Sequence, residues 1–318
     1  MRGRSPRSRH RRRKFLVRRL LALVVVAALL YAVVSGGRSL LGGNDKAASA
    51  DPKSGATTST TSVDASADSV APGAPTSTTL PGTPTSSTVA DAGRTPTATD
   101  PARVYIAGDS DAGGFAPFLQ PILDKTKVAT ITLDYKVSTG LARPDFFDWP
   151  AHLAQAIPAA NPDIVIITFG GNDGQPITGI KSQSTGLPAA VGSPEWNAEY
   201  AKRVGALMDF LTAGGRTLIW VGIPNGPTDD FTSRLKAQNT VVLDQVTKHP
   251  GVKFVDAWNI FTGLDGGYAQ WVTDPADGTS KPVRQSDGFH LNKAGEQILS
   301  SAIAAAVVDD LRARGAKI

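Results

Sequence analysis

Five short apolar runs constrain this chain more than anything else in it: 104–107 (VYIA), 128–137 (VATITLDYKV), 163–169 (DIVIITF), 217–222 (TLIWVG) and 252–256 (VKFVD). Each is broken off by small or polar residues, and each is followed by a stretch with helical spacing. The apolar positions Phe115, Phe118, Leu119 and Ile122 follow the first, and helices are predicted over 151–159, 194–212, 229–248 and 292–314. Strand and helix in strict alternation imply a largely parallel sheet with right-handed crossovers. The run 163–169 is apolar without alternation, as expected of a strand covered on both faces. In such open sheets the chemistry sits beyond the carboxyl ends of the strands. The segments that matter for function are therefore the ones that end the runs.

All five runs lie in residues 102–318, which suits one α/β domain with a sizeable core. What precedes them cannot belong to that core. Residues 1–19 hold ten Lys and Arg and no Asp or Glu, so a whole-chain charge of +5 leaves −5 for the rest. The high isoelectric point of about 9.4 describes a basic leader, and gives no ground for a nucleic-acid partner. Residues 20–37 are uncharged, and 20–34 are apolar apart from Tyr31. That length is at the lower edge of the roughly 17–25 residues that cross a bilayer, and the basic leader places the N-terminus in the cytoplasm. We read 20–37 as a transmembrane signal anchor. The rival reading is a signal peptide cleaved near Val33-Val34-Ser35, which would release a secreted protein. From 38 to 101 the composition turns to Ser, Thr, Ala, Pro and Gly, with no aromatic residue between Tyr31 and Tyr105. Such a segment buries too little apolar surface to offset its ordering entropy. It reads as a disordered tether reaching roughly 40 Å. The chain has no cysteine, so no thiolate chemistry is available.

Three stretches directly follow runs: Gly108-Asp109-Ser110, Ser138-Thr139-Gly140 and Gly170-Gly171-Asn172-Asp173. A fourth, Asp287-Gly288-Phe289-His290, precedes the last helix. A parallel sheet brings the first three to one edge. A nucleophilic serine needs a base within hydrogen-bond reach and a third group to orient that base. Ser110, His290 and Asp287 can fill those roles, with Asp287 on the same turn as His290. The negative charge of a tetrahedral intermediate needs preset donors. The Ser110 N–H, the Gly140 N–H and the Asn172 side-chain amide are the candidates. Asp109 reads as a hydrogen-bonding residue of its turn rather than the catalytic acid, and Asp173 as a residue that holds loops.

These four stretches, in this order, resemble the blocks of the SGNH hydrolases, the GDSL-like lipases and esterases. Gly108–Ser110 resembles the first block, Gly140 the second, Gly170–Asp173 the third and Asp287–His290 the last, across residues 103–312. The resemblance implies a flavodoxin-like three-layer α/β/α sandwich with a five-stranded parallel sheet, and hydrolysis of esters by a Ser-His-Asp triad without metal or other cofactor. Asp111 departs from the pattern, since many relatives carry an apolar residue after the serine. An acid there opposes an anionic substrate or the oxyanion unless its side chain turns away. The segment 143–149 (RPDFFDW) resembles a poorly characterised bacterial cell-envelope branch of the superfamily.

Of the other histidines, His10 belongs to the leader, His152 reads as a packed or surface residue of a helix, and His249 as a solvated helix end. No His, Asp or Glu set has metal-ligand spacing. Phe146, Phe147 and Trp149 either line the substrate cleft or cap the core. Asp265, Tyr268 and Trp271 either contact a sugar or pack their own loop. The function expected is a membrane-tethered serine esterase outside the cell, removing acyl groups, acetyl first among them, from an envelope polysaccharide or peptidoglycan or from a small ester. Acyl transfer to a sugar hydroxyl needs the same residues, and a non-catalytic envelope-binding module is the third reading.

Overall fold

The computed structural model describes residues 94–318. The expected leader (1–19), the expected anchor (20–37) and the expected linker up to residue 93 lie outside them. Among the described residues no helix is long and apolar enough to cross a membrane.

A single five-stranded parallel sheet organises the domain, in the order β2-β1-β3-β4-β5. Its strands are β1 (Ala102–Gly108), β2 (Ala129–Tyr135), β3 (Ile164–Thr168), β4 (Thr217–Val221) and β5 (Val252–Val255). This is the flavodoxin-like order, with its topological switch point between β1 and β3. Ile106 pairs with Leu133 on one side and Ile166 on the other, and Gly108 pairs with Thr168. The first and third strands therefore end level, and the loops that follow them are neighbours.

Alternate residues of β1 feed two cores. Val104 and Ile106 pack with Phe115, Leu119 and Leu123 of α1 (Ser110–Asp124) and with Ile298, Ile303 and Val307 of α6 (Lys293–Ala313). Tyr105 and Ala107 face the other side. There they meet α2 (Trp149–Ala160), α3 (Pro194–Thr212) and α4 (Asp229–Lys248) through Leu153, Trp196, Tyr200, Met208 and Val241. Five entirely buried residues in β3 explain the unbroken apolar run there, since the central strand has a core on each face. The three-layer sandwich implied by the sequence blocks is the one observed.

Two details depart from the sequence reading. Residues 263–285, read as loop, contain an antiparallel pair, β6 (Trp271–Thr273) with β7 (Ser280–Pro282). A one-turn helix, α5 (Ala257–Ile260), precedes it. The domain also includes the last residues assigned to the linker. Arg94 forms an ion pair with Asp163 at 2.6 Å and donates to the Asp100 carbonyl at 3.0 Å. Asp163 is almost wholly buried just before β3, so this guanidinium supplies the charge that its carboxylate needs.

Candidate active site

Ser110 opens α1 immediately after β1. The turn is made by Gly108, whose φ of +148° suits glycine and where a β-carbon would lie 2.2 Å from the Thr168 carbonyl oxygen. Asp109 caps the helix by accepting from the Asp111 N–H at 3.0 Å. Its other oxygen accepts from the Gly170 N–H at 2.7 Å and from Asn172 Nδ2 at 2.9 Å. One buried carboxylate thus ties the serine turn to the loop after β3. Burial and the charge of Asp111 push Asp109 up to about 7, against the three N–H donors that favour its anion. The role read for Asp109 from sequence is the one observed.

The Asn172 amide is oriented by that bond. A carboxylate can only accept, so nitrogen faces Asp109, and the second N–H of the amide is left for another acceptor. Asn172 lies in a 3₁₀ turn, Gly171–Asp173. Its neighbour Asp173 accepts from the Leu141 N–H at 2.9 Å, the Ala142 N–H at 2.8 Å and the Tyr200 hydroxyl at 2.9 Å. This is how the loop after β2 is held. A β-carbon on Gly140 would lie 2.1 Å from Asp173 Oδ1, so only glycine lets that loop approach. Among the described residues, neither the Ser110 nor the Gly140 backbone N–H has a hydrogen-bond partner.

From the other side comes the turn before α6. The Ser110 hydroxyl donates to His290 Nε2 at 3.3 Å, a loose bond of the kind that tightens around a substrate. His290 Nδ1 donates to Asp287 Oδ2 at 2.6 Å. Asp287 Oδ1 also accepts from the Phe289 and His290 N–H groups at 2.9 and 3.1 Å. This carboxylate therefore holds both the ring and the backbone that carries it. Partial burial lowers the proton affinity of His290. The Asp287 bond and the charges of Asp111, Asp287 and Asp109 outweigh it and raise the histidine above its ordinary value.

Residues with no motif to mark them position this turn. Arg284, buried, donates to the Phe289 carbonyl at 2.9 Å and to Asn225 Oδ1 at 3.0 Å. It spans the loop after β4 and the histidine turn. Burial lowers its guanidinium to about 10. A lone arginine in a loop gives no spacing signal, which is why the sequence reading missed it.

The residues read as substrate-binding divide. Trp149 is in the core: its side chain is 0% exposed, and Nε1 donates to Thr139 Oγ1 at 2.9 Å. The cleft reading of Trp149 is corrected by that burial, because its aromatic surface is spent on packing with Phe147 and Phe169. The Tyr268 hydroxyl donates to the Gly288 carbonyl at 2.6 Å, so Tyr268 braces the turn that carries His290. Phe146 and Trp271 remain 57% and 58% exposed. His152 packs on Phe147 and Trp149 and bonds Asp134 at 2.6 Å, as a packed histidine does. His249 is half-buried rather than solvated, with Nδ1 on the Gln245 carbonyl at 2.6 Å. Among the described residues, no three His, Asp or Glu side chains group to hold a metal ion.

The model of the family described as "Protein of unknown function (DUF459)" matches residues 103–306. The chain belongs to the DUF459 family. The resemblance to SGNH hydrolases holds in this DUF459 domain, whose four blocks stand in one place in the order that the resemblance requires. No curated protein matches the chain in sequence. Among solved structures it is similar to an alpha/beta hydrolase enzyme from the metagenome of Lake Arreo, Spain, at 19% identity over 65% of this chain and 95% of that one, with a TM-score of 0.47. A GDSL-like lipase from Bacteroides thetaiotaomicron is similar at 15% identity over 65% and 88%, TM-score 0.45. An acetylxylan esterase from Geobacillus stearothermophilus is similar at 17% identity over 66% and 94%, TM-score 0.45.

Proposed function

We propose that the protein is a serine esterase, tethered to the membrane by residues 20–37 with its catalytic domain outside the cell. Its substrate on this reading is an O-acylated envelope polysaccharide or peptidoglycan, with acetyl as the acyl group. The observation that carries the reading is the relay Ser110–His290–Asp287, with bonds of 3.3 and 2.6 Å. Ser110 Oγ attacks the acyl carbonyl carbon while His290 Nε2 takes its proton, and Asp287 stabilises the imidazolium that forms. The carbonyl oxygen becomes an oxyanion, for which the Ser110 N–H, the Gly140 N–H and the free N–H of Asn172 are the donors. The imidazolium returns its proton to the leaving alcohol. Water, activated by the same histidine, then releases the acid.

Purified protein should release acetate from acetylated cell-wall glycan, and a serine-directed phosphonate should label Ser110. Labelling at another residue, or no acid release from any ester, would refute the assignment. Adding a sugar acceptor separates hydrolysis from transfer, because transfer lowers acetate release and produces a new ester.

Asn172→Ala should retain the fold and lower kcat by roughly 10²–10³-fold, the usual cost of one oxyanion donor. An unchanged kcat would remove Asn172 from the mechanism. Activity should rise with pH because only neutral imidazole accepts the serine proton. Since His290 is raised, the midpoint of that rise should lie above the ordinary histidine value of about 6.5. Asp287→Asn should move the midpoint down and lower kcat by roughly 10²–10⁴-fold. A kcat/KM profile of the two proteins checks both.

A further inference from the structure

Behind the nucleophile, on the α6 side of the sheet, lies a cavity bordered by Asp111, Thr168, Phe289, Leu291 and Glu296. It has about 10 Å³ of room for the centre of a water molecule, enough for one. Its polar lining is unfinished. Among the described residues, Thr168 Oγ1 and Glu296 Oε2 are both buried with no hydrogen-bond partner, in residues 1% and 8% exposed. Asp111, next to Ser110 in the chain, lines the same cavity. Small residues make room for both acids. A β-carbon on Gly170 would lie 2.0 Å from Asp111 Oδ2, and one on Gly114 would lie 2.3 Å from Glu296 Oε1. Leaving a buried hydroxyl or acid unpaired costs about 1–3 kcal/mol each, and polar cavities with two to four partners are where internal waters sit.

Two carboxylates around so small a space cannot both be charged, and their surroundings decide which keeps its proton. Burial raises Asp111 as well, but two cations, His290 and Arg284, oppose that rise, while the anion Asp287 adds to it. Glu296 faces no cation and only the charge of Asp111, and burial with that charge pushes it up to about 9. The proton therefore belongs on Glu296.

We propose that this cavity binds one water molecule, which accepts from the protonated Glu296, pairs with the Thr168 hydroxyl and donates to Asp111, and that Asp111 acts as a second positioning acid for His290. The inference rests on His290 being the base. It accounts for the unusual acid after the nucleophile. On this reading Asp111, half-buried with its Oδ2 against Gly170, is held by the water, and its charge joins that of Asp287 in stabilising the imidazolium. Asp111 follows Ser110, whose hydroxyl meets His290 Nε2 at 3.3 Å, and it shares the cavity lining with Phe289 and Leu291 on either side of the histidine, so this charge acts at short range.

The test uses the full-length protein in detergent with p-nitrophenyl acetate. Asp111→Asn should move the acid limb of kcat/KM down by roughly half to one pH unit and lower kcat about tenfold. Glu296→Ala should move the limb the same way, and Glu296→Gln, which keeps a donor, should restore it. Glu296 binds its proton more tightly when folded, so its contribution to stability is complete below about pH 4.5 and is lost as pH rises towards about 9. Glu296→Gln should therefore flatten the fall of Tm across that window, a readout that needs no activity. Crystals of the wild type should show one peak bridging Thr168, Glu296 and Asp111. An empty cavity, metal-like distances below about 2.5 Å, an unmoved limb in Asp111→Asn or an unchanged slope of Tm in Glu296→Gln would each overturn the proposal. Failure of phosphonate to label Ser110 in the wild type would instead overturn the esterase reading, so the two failures are distinct.

Discussion

Ser110→Ala is expected to lower ester hydrolysis by several orders of magnitude, and His290→Ala to do the same. The double variant should be little worse than either, because a nucleophile without its base and a base without its nucleophile lose the same step. The expectation rests on the single bond between Ser110 Oγ and His290 Nε2 at 3.3 Å. Neither side chain carries the core, since both are partly exposed at the sheet edge, so the variants should fold. Residual activity at the level of the oxyanion donors alone is expected. Two single losses that multiply in the double variant would show that the residues act independently and would sink the triad. Initial rates with p-nitrophenyl acetate, with circular dichroism as the control for folding, decide it.

Asp173→Ala is the substitution expected to cost most in stability. Three donors, the Leu141 and Ala142 N–H groups and the Tyr200 hydroxyl, converge on this carboxylate. Losing it leaves them unpaired in a site that is 1% exposed. At about 1–3 kcal/mol for each buried donor, partly recovered if water enters, the loss should be about 3–5 kcal/mol. That corresponds to a fall in Tm on the order of 10 °C for a domain of this size. Burial pushes Asp173 up to about 6 against those same three bonds, so the wild-type carboxylate is held by the donors it satisfies. Activity should fall as well, because the freed loop carries Gly140. A thermal scan within 2 °C of the wild type would show that water replaces the carboxylate without cost and that loop position does not depend on it.

The parts of this protein that could be read from the chain are those in which short-range pattern and long-range burial agree. Five apolar runs became the five strands, and the run without alternation, 163–169, became the central strand, buried on both faces. The serine, the glycine and the asparagine could be placed together because each follows a strand, and parallel strands end at one edge. Asp287 and His290 could be paired because they share a turn. Asp109 and Asp173 were legible as loop-holding acids, since a buried acid beside a strand end has backbone N–H groups within reach.

Packing decided the rest. Nothing in 143–149 says which aromatic faces the core, and burial alone separates Trp149 from the exposed Phe146. The roles of Arg284 and Tyr268 come from contacts with Phe289, Asn225 and Gly288 that local sequence does not encode. The place of Asp111 Oδ2 was equally hidden, because it depends on space left by Gly170, 59 positions further along the chain. Periodicity and strand ends are properties of one segment, and so the sequence determined the sheet and the residues at its edge. Which side chain meets which across distant segments is a property of the closed core, and that was settled only when the helices packed on both faces.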